Sequence, residues 1–346
     1  MRILIIGGTA FIGPHVARLL QEAGHAVTVF HRGLTEASLP PQVSHIHGDQ
    51  AQLAKFKPEL VELSPEVVLH MVPACAQDAW TLMCSLRGIA RRVVVISSLD
   101  VHRAYNRLLR IEPGPPDPIP LAEDAPLREV LYPFRNFEES DPADLEARRW
   151  GDDYDKILVE KIALSEPGLP GTVLRLPEVY GPYDRQMRLF SYLKRMDDGR
   201  PAILLSQEHA KWRWPRSYVE NVAHAIFLAV TSEGAAGRIY NLAEPECLAE
   251  AEWVERIGQV AHWDGNVMTM SGDNLPAHLH QDYAWEHELV IDSTRIRQEL
   301  GYVEQVTQEE GLRRTIAWQR ANPPETFDPS LFDYPAEDSA LAKIVK

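Results

Sequence analysis

A glycine-rich turn near the start of the chain is the first place where residue types and spacing point to chemistry. Gly7, Gly8 and Gly13 belong to the stretch Gly-Gly-Thr-Ala-Phe-Ile-Gly, which directly follows an isoleucine-rich run. Glycines in such a turn let the backbone approach a pyrophosphate, and a helix that begins there offers free N–H groups. The turn therefore predicts a dinucleotide-binding site. Its predicted contact residues are Gly7, Thr9, Ala10, Phe11, Ile12 and Gly13.

The segments on either side of this turn have the pattern of a strand–helix–strand unit. Residues 2–6 are a short apolar run of the kind that is buried on both faces of a parallel sheet. Residues 15–23 carry apolar side chains at helical spacing, and Gly24 follows as a helix stop. Residues 26–30 form the next predicted strand. The glycine turn thus lies between a strand and a helix, which is the context that a phosphate site requires.

The end of the second predicted strand indicates which dinucleotide binds. An acidic residue there favours NAD because it binds the ribose hydroxyls, but this chain has His31 and Arg32. An arginine beside the ribose pairs with a 2′-phosphate, so we predict NADP, with NAD as the alternative. A solvated loop arginine is the competing interpretation. Asp49 ends the next short strand, where it either faces the adenine or caps the following turn.

A basic segment between residues 183 and 216 is a second candidate binding region. One interpretation is recognition of an anionic substrate, such as the phosphates of a sugar nucleotide. The other is an amphipathic helix with a solvated charged face. Its basic residues are Arg185, Arg188, Lys194, Arg195, Arg200, Lys211, Arg213 and Arg216.

Composition excludes several classes of partner. The chain has 35 Lys and Arg against 50 Asp and Glu, a formal net charge of −15, so we expect no nucleic-acid partner. No apolar run reaches the length of about 18 residues that a membrane span needs, and we expect no membrane partner. Three widely spaced cysteines (Cys75, Cys84, Cys247) indicate a reducing compartment, so we predict a cytoplasmic protein. We expect no metal site, because His278, His280 and His287 are irregularly spaced in a predicted loop.

Several further motifs occur in an order that identifies a family resemblance. The most informative are Val-Val-Val-Ile-Ser-Ser-Leu-Asp-Val at 93–101, Leu-Arg-Leu-Pro-Glu-Val-Tyr-Gly-Pro at 174–182 and Arg-Ser-Tyr-Val-Glu-Asn-Val-Ala at 216–223. Together with the glycine turn, they resemble the extended short-chain dehydrogenase/reductase superfamily, in its NAD-dependent epimerase/dehydratase group. Ala10 stands where that group usually has its middle glycine. The form Gly-Gly-Thr-x-Phe-Ile-Gly resembles an atypical branch that includes the chloroplast stem-loop-binding proteins.

The resemblance implies a Tyr four residues before a Lys on one helix, and this chain departs from that pattern. If Tyr154 is the family Tyr, the Lys position holds Leu158. If Lys156 is the family Lys, Glu160 also matches and the Tyr position holds Asp152. Tyr154 and Lys156 lie about 200° apart on a regular helix, so they face one site only if the helix begins after Tyr154.

Three interpretations of this segment stay open. Tyr154 reaches the site from a non-helical turn, Asp152 replaces the tyrosine, or the site is catalytically inactive. The resemblance implies that Ser98 binds the substrate oxygen, although a serine that caps the next helix is the alternative. By the same resemblance, Lys156 positions the cofactor ribose and Arg216 binds a substrate phosphate.

These observations predict a fold and a function. We expect a doubly wound parallel sheet of Rossmann type with a smaller C-terminal substrate lobe. The predicted division is a dinucleotide-binding domain over 1–175, to which 215–245 returns, a lobe over 176–322 and a tail over 323–346.

The resemblance implies an NAD(P)-dependent epimerase, dehydratase or reductase that acts on a hydroxylated, anionic small molecule. It also implies a homodimer. The alternative is a non-catalytic NADP-binding protein with a regulatory or RNA-associated role and a degenerate site.

Overall fold

The chain alternates short strands with helices, and seven of the strands form a central sheet. The strands are β1 Arg2–Ile6, β2 Ala26–His31, β3 Ser44–His47, β4 Val67–His70, β5 Arg92–Ser98, β6 Gly171–Leu176, β7 Glu178–Tyr180, β8 Ala202–Ser206, β9 Arg216–Tyr218, β10 Ile239–Asn241 and β11 Asn266–Met270. The helices are α1 Ile12–Glu22, α2 Lys57–Leu63, α3 Ala76–Leu86, α4 Arg103–Leu108, α5 Lys156–Ala163, α6 Phe190–Asp197, α7 Gln207–Lys211, α8 Val219–Thr231, α9 Glu250–Ala261, α10 Thr294–Leu300, α11 Gln308–Ala321 and α12 Tyr334–Ile344. These elements come from a computed structural model that describes residues 1–35, 39–135 and 151–344.

Seven strands form one parallel sheet in the order β10-β6-β5-β4-β1-β2-β3. The chain builds outward from β1 in one direction through β2 and β3, and in the other through β4, β5 and β6. The carboxyl ends of β1 and β4 therefore lie at the point where the strand order reverses, which is where ligands bind in open sheets of this kind. The predicted doubly wound parallel sheet is confirmed.

Alternate residues of β1 pack on opposite faces of the sheet. Ile3 and Ile5 belong to a core that includes residues of α1 and α8, whereas Leu4 and Ile6 belong to a second core with residues of α3 and α5. All four side chains are almost fully buried. The near-continuous apolar character of this strand follows from burial on both faces.

The first three elements match the pattern of the sequence closely. The helix predicted over 15–23 begins earlier, at Ile12, because Pro14 is compatible with a first helical turn. The helix ends before Gly24, which adopts a φ of +80°, a conformation that favours glycine.

Two small parallel pairs lie outside the central sheet. β7 pairs with β9, and β8 pairs with β11. After β9 the chain passes through α8 and returns to the central sheet as β10, next to β6. None of the helices within the described ranges is long and apolar enough to cross a membrane.

Candidate active site

The glycine turn joins β1 to α1 by a close approach of backbone to backbone. Gly7 has a φ of +81°, and its N–H donates to the carbonyl of Phe30 at 3.0 Å. A Cβ on Gly13 would lie 2.6 Å from the carbonyl carbon and oxygen of Gly8. Glycine at position 13 therefore lets the first turn of α1 start directly against the end of β1.

The start of α1 presents backbone donors at the edge of the sheet. Phe11, the N-cap residue, has φ 46° and ψ −98° and provides no side-chain hydrogen bond to the helix. Thr9 is buried, Ala10 is exposed, and Phe11 and Ile12 are half-buried. Helix N-termini with unsatisfied N–H groups favour anions. This turn fits the pyrophosphate of a dinucleotide.

Arg32 and Asp49 follow β2 and β3 at the same edge of the sheet. Arg32 is exposed, and it makes no ion pair with any residue in the described ranges. Asp49 accepts a hydrogen bond from the backbone N–H of Ala51 at 2.9 Å. It therefore caps the 3₁₀ turn over Gln50–Phe56, which was one of the two roles predicted for it.

α5 begins at Lys156, so Tyr154 lies before the helix. The Asp155 side chain caps α5 by accepting from the N–H of Leu158 at 3.1 Å. Tyr154 forms an isolated antiparallel bridge with Cys75. The side chains of Tyr154 and Lys156 are both buried, and the Lys156 Nζ lies 5.7 Å from the centre of the Tyr154 ring. The two residues thus meet despite their spacing.

Asp152 is not in this group. Its side chain is exposed, and its backbone carbonyl accepts a hydrogen bond from Arg135 at 3.3 Å. The geometry therefore places Tyr154, and not Asp152, beside Lys156, and a catalytic role for Tyr154 stays a prediction.

Asp100 is a candidate site residue that the sequence did not single out. The Tyr154 hydroxyl donates to its Oδ2 at 2.5 Å, and the Asp100 side chain is buried. Burial raises the pKa of this carboxyl, while the Arg128 guanidinium and the Tyr154 hydrogen bond act in the opposite direction. The only signal in the sequence was an acidic residue just after Ser97 and Ser98 at the end of a strand.

Lys156 is held by the ends of two strands. Its Nζ donates to the carbonyl of Pro73, which follows β4, at 2.6 Å. It also donates to the carbonyl of Ile96, which lies in β5, at 3.1 Å. Burial lowers the pKa of this ammonium to about 8, and the nearby Asp100 carboxylate partly opposes that change. At pH 7 the side chain is still mostly charged, so a positive group lies beside Tyr154.

The two serines at the end of β5 have different partners. Ser97 donates to Glu160 Oε1 at 2.6 Å, and Glu160 also accepts from Arg175 at 2.8 and 2.9 Å in a buried network. Ser98 is half-buried and accepts from the Asp100 N–H at 3.2 Å. It therefore caps the turn over Leu99–Val101, and its side chain also hydrogen-bonds the carboxyl of Asp100.

Arg216 lies in an internal ion pair. Its guanidinium contacts Glu250 Oε2 at 2.5 Å and Glu178 at 3.6 Å, and it lies 4.9 Å from the centre of the Trp253 ring. Phosphate binding by Arg216 stays a prediction, and a phosphate would have to compete with Glu250.

Most of the basic segment is neutralised in the same way. Its cations pair with carboxylates of other segments or of their own helix, so the segment does not form a continuous positive surface. The pairs are Arg188–Asp184, Lys194–Asp198, Arg195–Glu337, Arg200–Asp338, Arg213–Glu288 and Arg216–Glu250.

A cavity of about 880 Å³ lies between α6, β8 and the segment 272–288. Its wall includes Trp212, Trp285 and His209, and the last two are stacked with ring centres 4.2 Å apart. Tyr154 and Lys156 do not line it. Instead, Trp212 stacks on Trp214, which contacts Tyr105 of α4, so an aromatic row connects the cavity to the helix that follows Ser98.

The histidines near residue 280 do not converge. His278 pairs with Glu337 at 3.1 Å, and His280 contacts the Leu275 carbonyl at 2.8 Å. His287 is buried and lies 3.8 Å from Glu286.

Comparison with known proteins gives a family match. The NAD dependent epimerase/dehydratase family matches residues 3–110 and 133–243, which is more than half of the chain.

Individual relatives are distant. The chain is 25% identical to 2-alkyl-3-oxoalkanoate reductase from Stenotrophomonas maltophilia, over 92% of this chain and 99% of that protein. It is 24% identical to dTDP-glucose 4,6-dehydratase from Neisseria meningitidis, over 93% of this chain and 94% of that protein. Its match to protein y4nL from Sinorhizobium fredii has 25% identity, over 57% of this chain and only 61% of that protein's length.

A solved structure of UDP-glucose 4-epimerase from Thermotoga maritima has the same fold. The TM-score is 0.68 with 18% sequence identity, over 94% of this chain and 100% of that one.

Proposed function

The chain belongs to the NAD dependent epimerase/dehydratase family, and from that premise we propose that it is an NADP-dependent epimerase, dehydratase or reductase of a hydroxylated small molecule. One observation carries the proposal. The Tyr154 hydroxyl is held 2.5 Å from the buried carboxylate of Asp100, beside the Lys156 ammonium. Interconversion of an alcohol and a carbonyl needs a group that exchanges a proton and a dinucleotide that exchanges a hydride, and this chain has a candidate for the first and a glycine turn for the second.

The residues that would hold the cofactor lie along the edge where the strand order reverses. The backbone of Gly7–Gly13 and the start of α1 would bind the pyrophosphate. Arg32 would pair with the 2′-phosphate of NADP, with NAD as the alternative, and Lys156 would bind the ribose. When bound, the nicotinamide ring accepts a hydride from the substrate carbon or returns one to it.

The protein's own residues would move the proton that accompanies this hydride. When a hydroxyl of the substrate is oxidised, its proton passes to the Tyr154 oxygen, and the proton of Tyr154 passes to Asp100 Oδ2. Burial raises the pKa of Asp100, which makes the carboxylate a better proton acceptor. Ser98, which also hydrogen-bonds Asp100, would orient the substrate oxygen, and the charge of Lys156 would stabilise tyrosinate.

The relatives and the cavity support a proposal for the substrate class. The dTDP-glucose 4,6-dehydratase and the UDP-glucose 4-epimerase are named for sugar nucleotides. The aromatic cavity of about 880 Å³ is large enough for such a molecule and offers Trp212 and Trp285 as stacking surfaces. Arg110 and Lys211 also line it, together with carboxylates such as Asp282, which pairs with Arg110 at 3.1 Å, so the stacking surfaces rather than the charge of the wall support this substrate class. We therefore propose a sugar nucleotide or a similar hydroxylated anion.

Turnover by single-residue variants tests the proposal. Purified protein is incubated with NADP or NAD and a panel of nucleoside-diphosphate sugars, and products are identified by NMR. Tyr154→Phe and Asp100→Asn should each lower turnover about 100-fold or more while cofactor binding is retained. Asp152→Asn is the matched control and should behave like the wild type. Turnover that survives Tyr154→Phe would show that this tyrosine does not exchange the proton.

A further inference from the structure

Three histidines lie together at the carboxyl ends of β2 and β3, and one of them, His31, directly precedes Arg32 of the proposed cofactor site. β2 and β3 are parallel, and His31 lies opposite His47 in their register. His45 is two residues before His47, so both project from the same face of β3. His31 is buried, whereas His45 and His47 are exposed.

The imidazole nitrogens of this triad (His31, His45 and His47) are close to one another. His31 Nε2 lies 2.9 Å from His45 Nδ1, and the rings of His31 and His47 have centres 4.7 Å apart. One nitrogen of each ring can be chosen so that the three nitrogens all lie within 4.8 Å of one another. Within residues 1–35, 39–135 and 151–344, this is the one group of three or more potential ligands with such spacing.

We propose that the triad binds a zinc-class divalent transition-metal ion. Three imidazoles with a fourth open position are a common zinc arrangement, and tetrahedral nitrogens at 2.0–2.1 Å from zinc lie about 3.3–3.4 Å apart. The 2.9 Å pair would open slightly, and the His47 ring would move inward by roughly 1.5 Å at most. Because His45 and His47 are exposed, the fourth position faces solvent and holds water.

The hydrogen bonds of His31 indicate what metal binding changes. The Gly33 N–H donates to His31 Nδ1 at 3.2 Å, so the ring carries its proton on Nε2 and donates it to His45. Coordination through Nε2 moves that proton to Nδ1 of the same ring, and the contact with Gly33 is released. The metal takes the place of the shared proton, and no net proton is lost.

The ion would join an edge strand to the sheet. β3 lies at the end of the strand order and pairs only with β2 among the described strands. Two of its four residues are the histidines of the triad. A metal bridge between β2 and β3 would therefore resist fraying of this edge.

Cobalt and zinc titrations test the inference without cofactor or substrate. Tag-free, full-length protein is stripped with a chelator and titrated with Co²⁺, followed by visible absorption. We expect one ion per chain, a tetrahedral d–d spectrum that Zn²⁺ abolishes, and a higher melting temperature with Zn²⁺. His45→Gln and His47→Gln should each weaken metal binding by more than about 100-fold. Loss of a residue that only hydrogen-bonds a ligand weakens metal binding by at most about that factor.

His280→Gln is the matched control, because it removes a histidine outside the triad, and it should bind Co²⁺ like the wild type. Both triad positions are exposed, so the two variants are expected to fold, and far-UV circular dichroism checks this. If either variant misfolds, the other still tests the site. A wild-type spectrum like that of the aqueous ion, or an unchanged spectrum in folded His45→Gln and His47→Gln proteins, would overturn the inference.

Discussion

Tyr154 and Lys156 are two residues apart, and the point at which a helix begins decides whether they meet. The Asp155 side chain caps α5, so Tyr154 stays outside the helix and bridges to Cys75. The family resemblance implies a Tyr four residues before the Lys on one helix. In this chain the helix begins after Tyr154 instead, and the phenol of Tyr154 and the ammonium of Lys156 still lie close to each other near the end of β5. The consequence is that the Tyr154 hydroxyl reaches Asp100.

Arg32 provides a direct test of cofactor choice. Arg32→Ala should raise the Kd for NADPH about 10- to 100-fold, since it removes a charge-assisted hydrogen bond to a phosphate. The Kd for NADH should change little. Fluorescence titration of both cofactors measures the difference. Arg18→Ala removes another exposed arginine and serves as the control. Equal losses for NADPH and NADH would contradict a role in 2′-phosphate binding.

The site residues that the sequence left open depend on contacts between distant segments. Asp152, Asp153 and Asp155 are all acceptable helix caps, so the sequence pattern does not choose among them. The partner of Tyr154 lies 54 residues earlier in the chain. No spacing rule indicates such a pair.

At the scale of elements, the sequence predicted β1, α1 and β2 because their signals are local. An apolar run, a glycine turn and a helical repeat each depend on neighbouring residues. The pairing of the basic segment was not predictable in that way. Arg195 pairs with Glu337, and Arg216 pairs with Glu250, so charges that are clustered in sequence are neutralised by elements far along the chain.

The contact between β1 and α1 yields a prediction about the cofactor turn. Gly13→Ala places a methyl group 2.6 Å from the Gly8 carbonyl, so the helix has to move away from the strand. We expect a loss of about 1–3 kcal/mol in the free energy of unfolding, as for other overpacked sites. We also expect cofactor binding to weaken markedly, because the helix N-terminus is displaced. Urea unfolding and NADPH titration measure the two effects.

Gly272→Ala is the control for this variant, because no heavy atom lies within 4 Å of its added Cβ. It should leave the free energy of unfolding and the Kd for NADPH near their wild-type values. Full-strength NADPH binding by Gly13→Ala would show that the close approach of helix and strand is not needed for the cofactor.

At the scale of the whole molecule, one apolar core joins the central sheet to the smaller pairs of strands. Ile3 and Val29 of the sheet belong to the same buried cluster as Leu193, Trp253 and Ile316 of α6, α9 and α11. An element on either side therefore cannot unfold without exposing part of this shared cluster to water. Shared burial of this extent couples the stability of the two parts.

We therefore expect the chain to unfold in a single cooperative transition. Bound cofactor should then stabilise both parts of the molecule. Calorimetry should show one peak whose midpoint coincides with that of tryptophan fluorescence, which mostly reports positions beyond the central sheet, such as Trp212, Trp253 and Trp285. NADPH at 100 times its Kd should stabilise the protein by about 2.7 kcal/mol, and both midpoints should rise together. The cofactor turn belongs to β1, so a rise seen by fluorescence requires coupling across the shared core. A second calorimetric peak, or a fluorescence midpoint that NADPH does not move, would show that the two parts unfold independently.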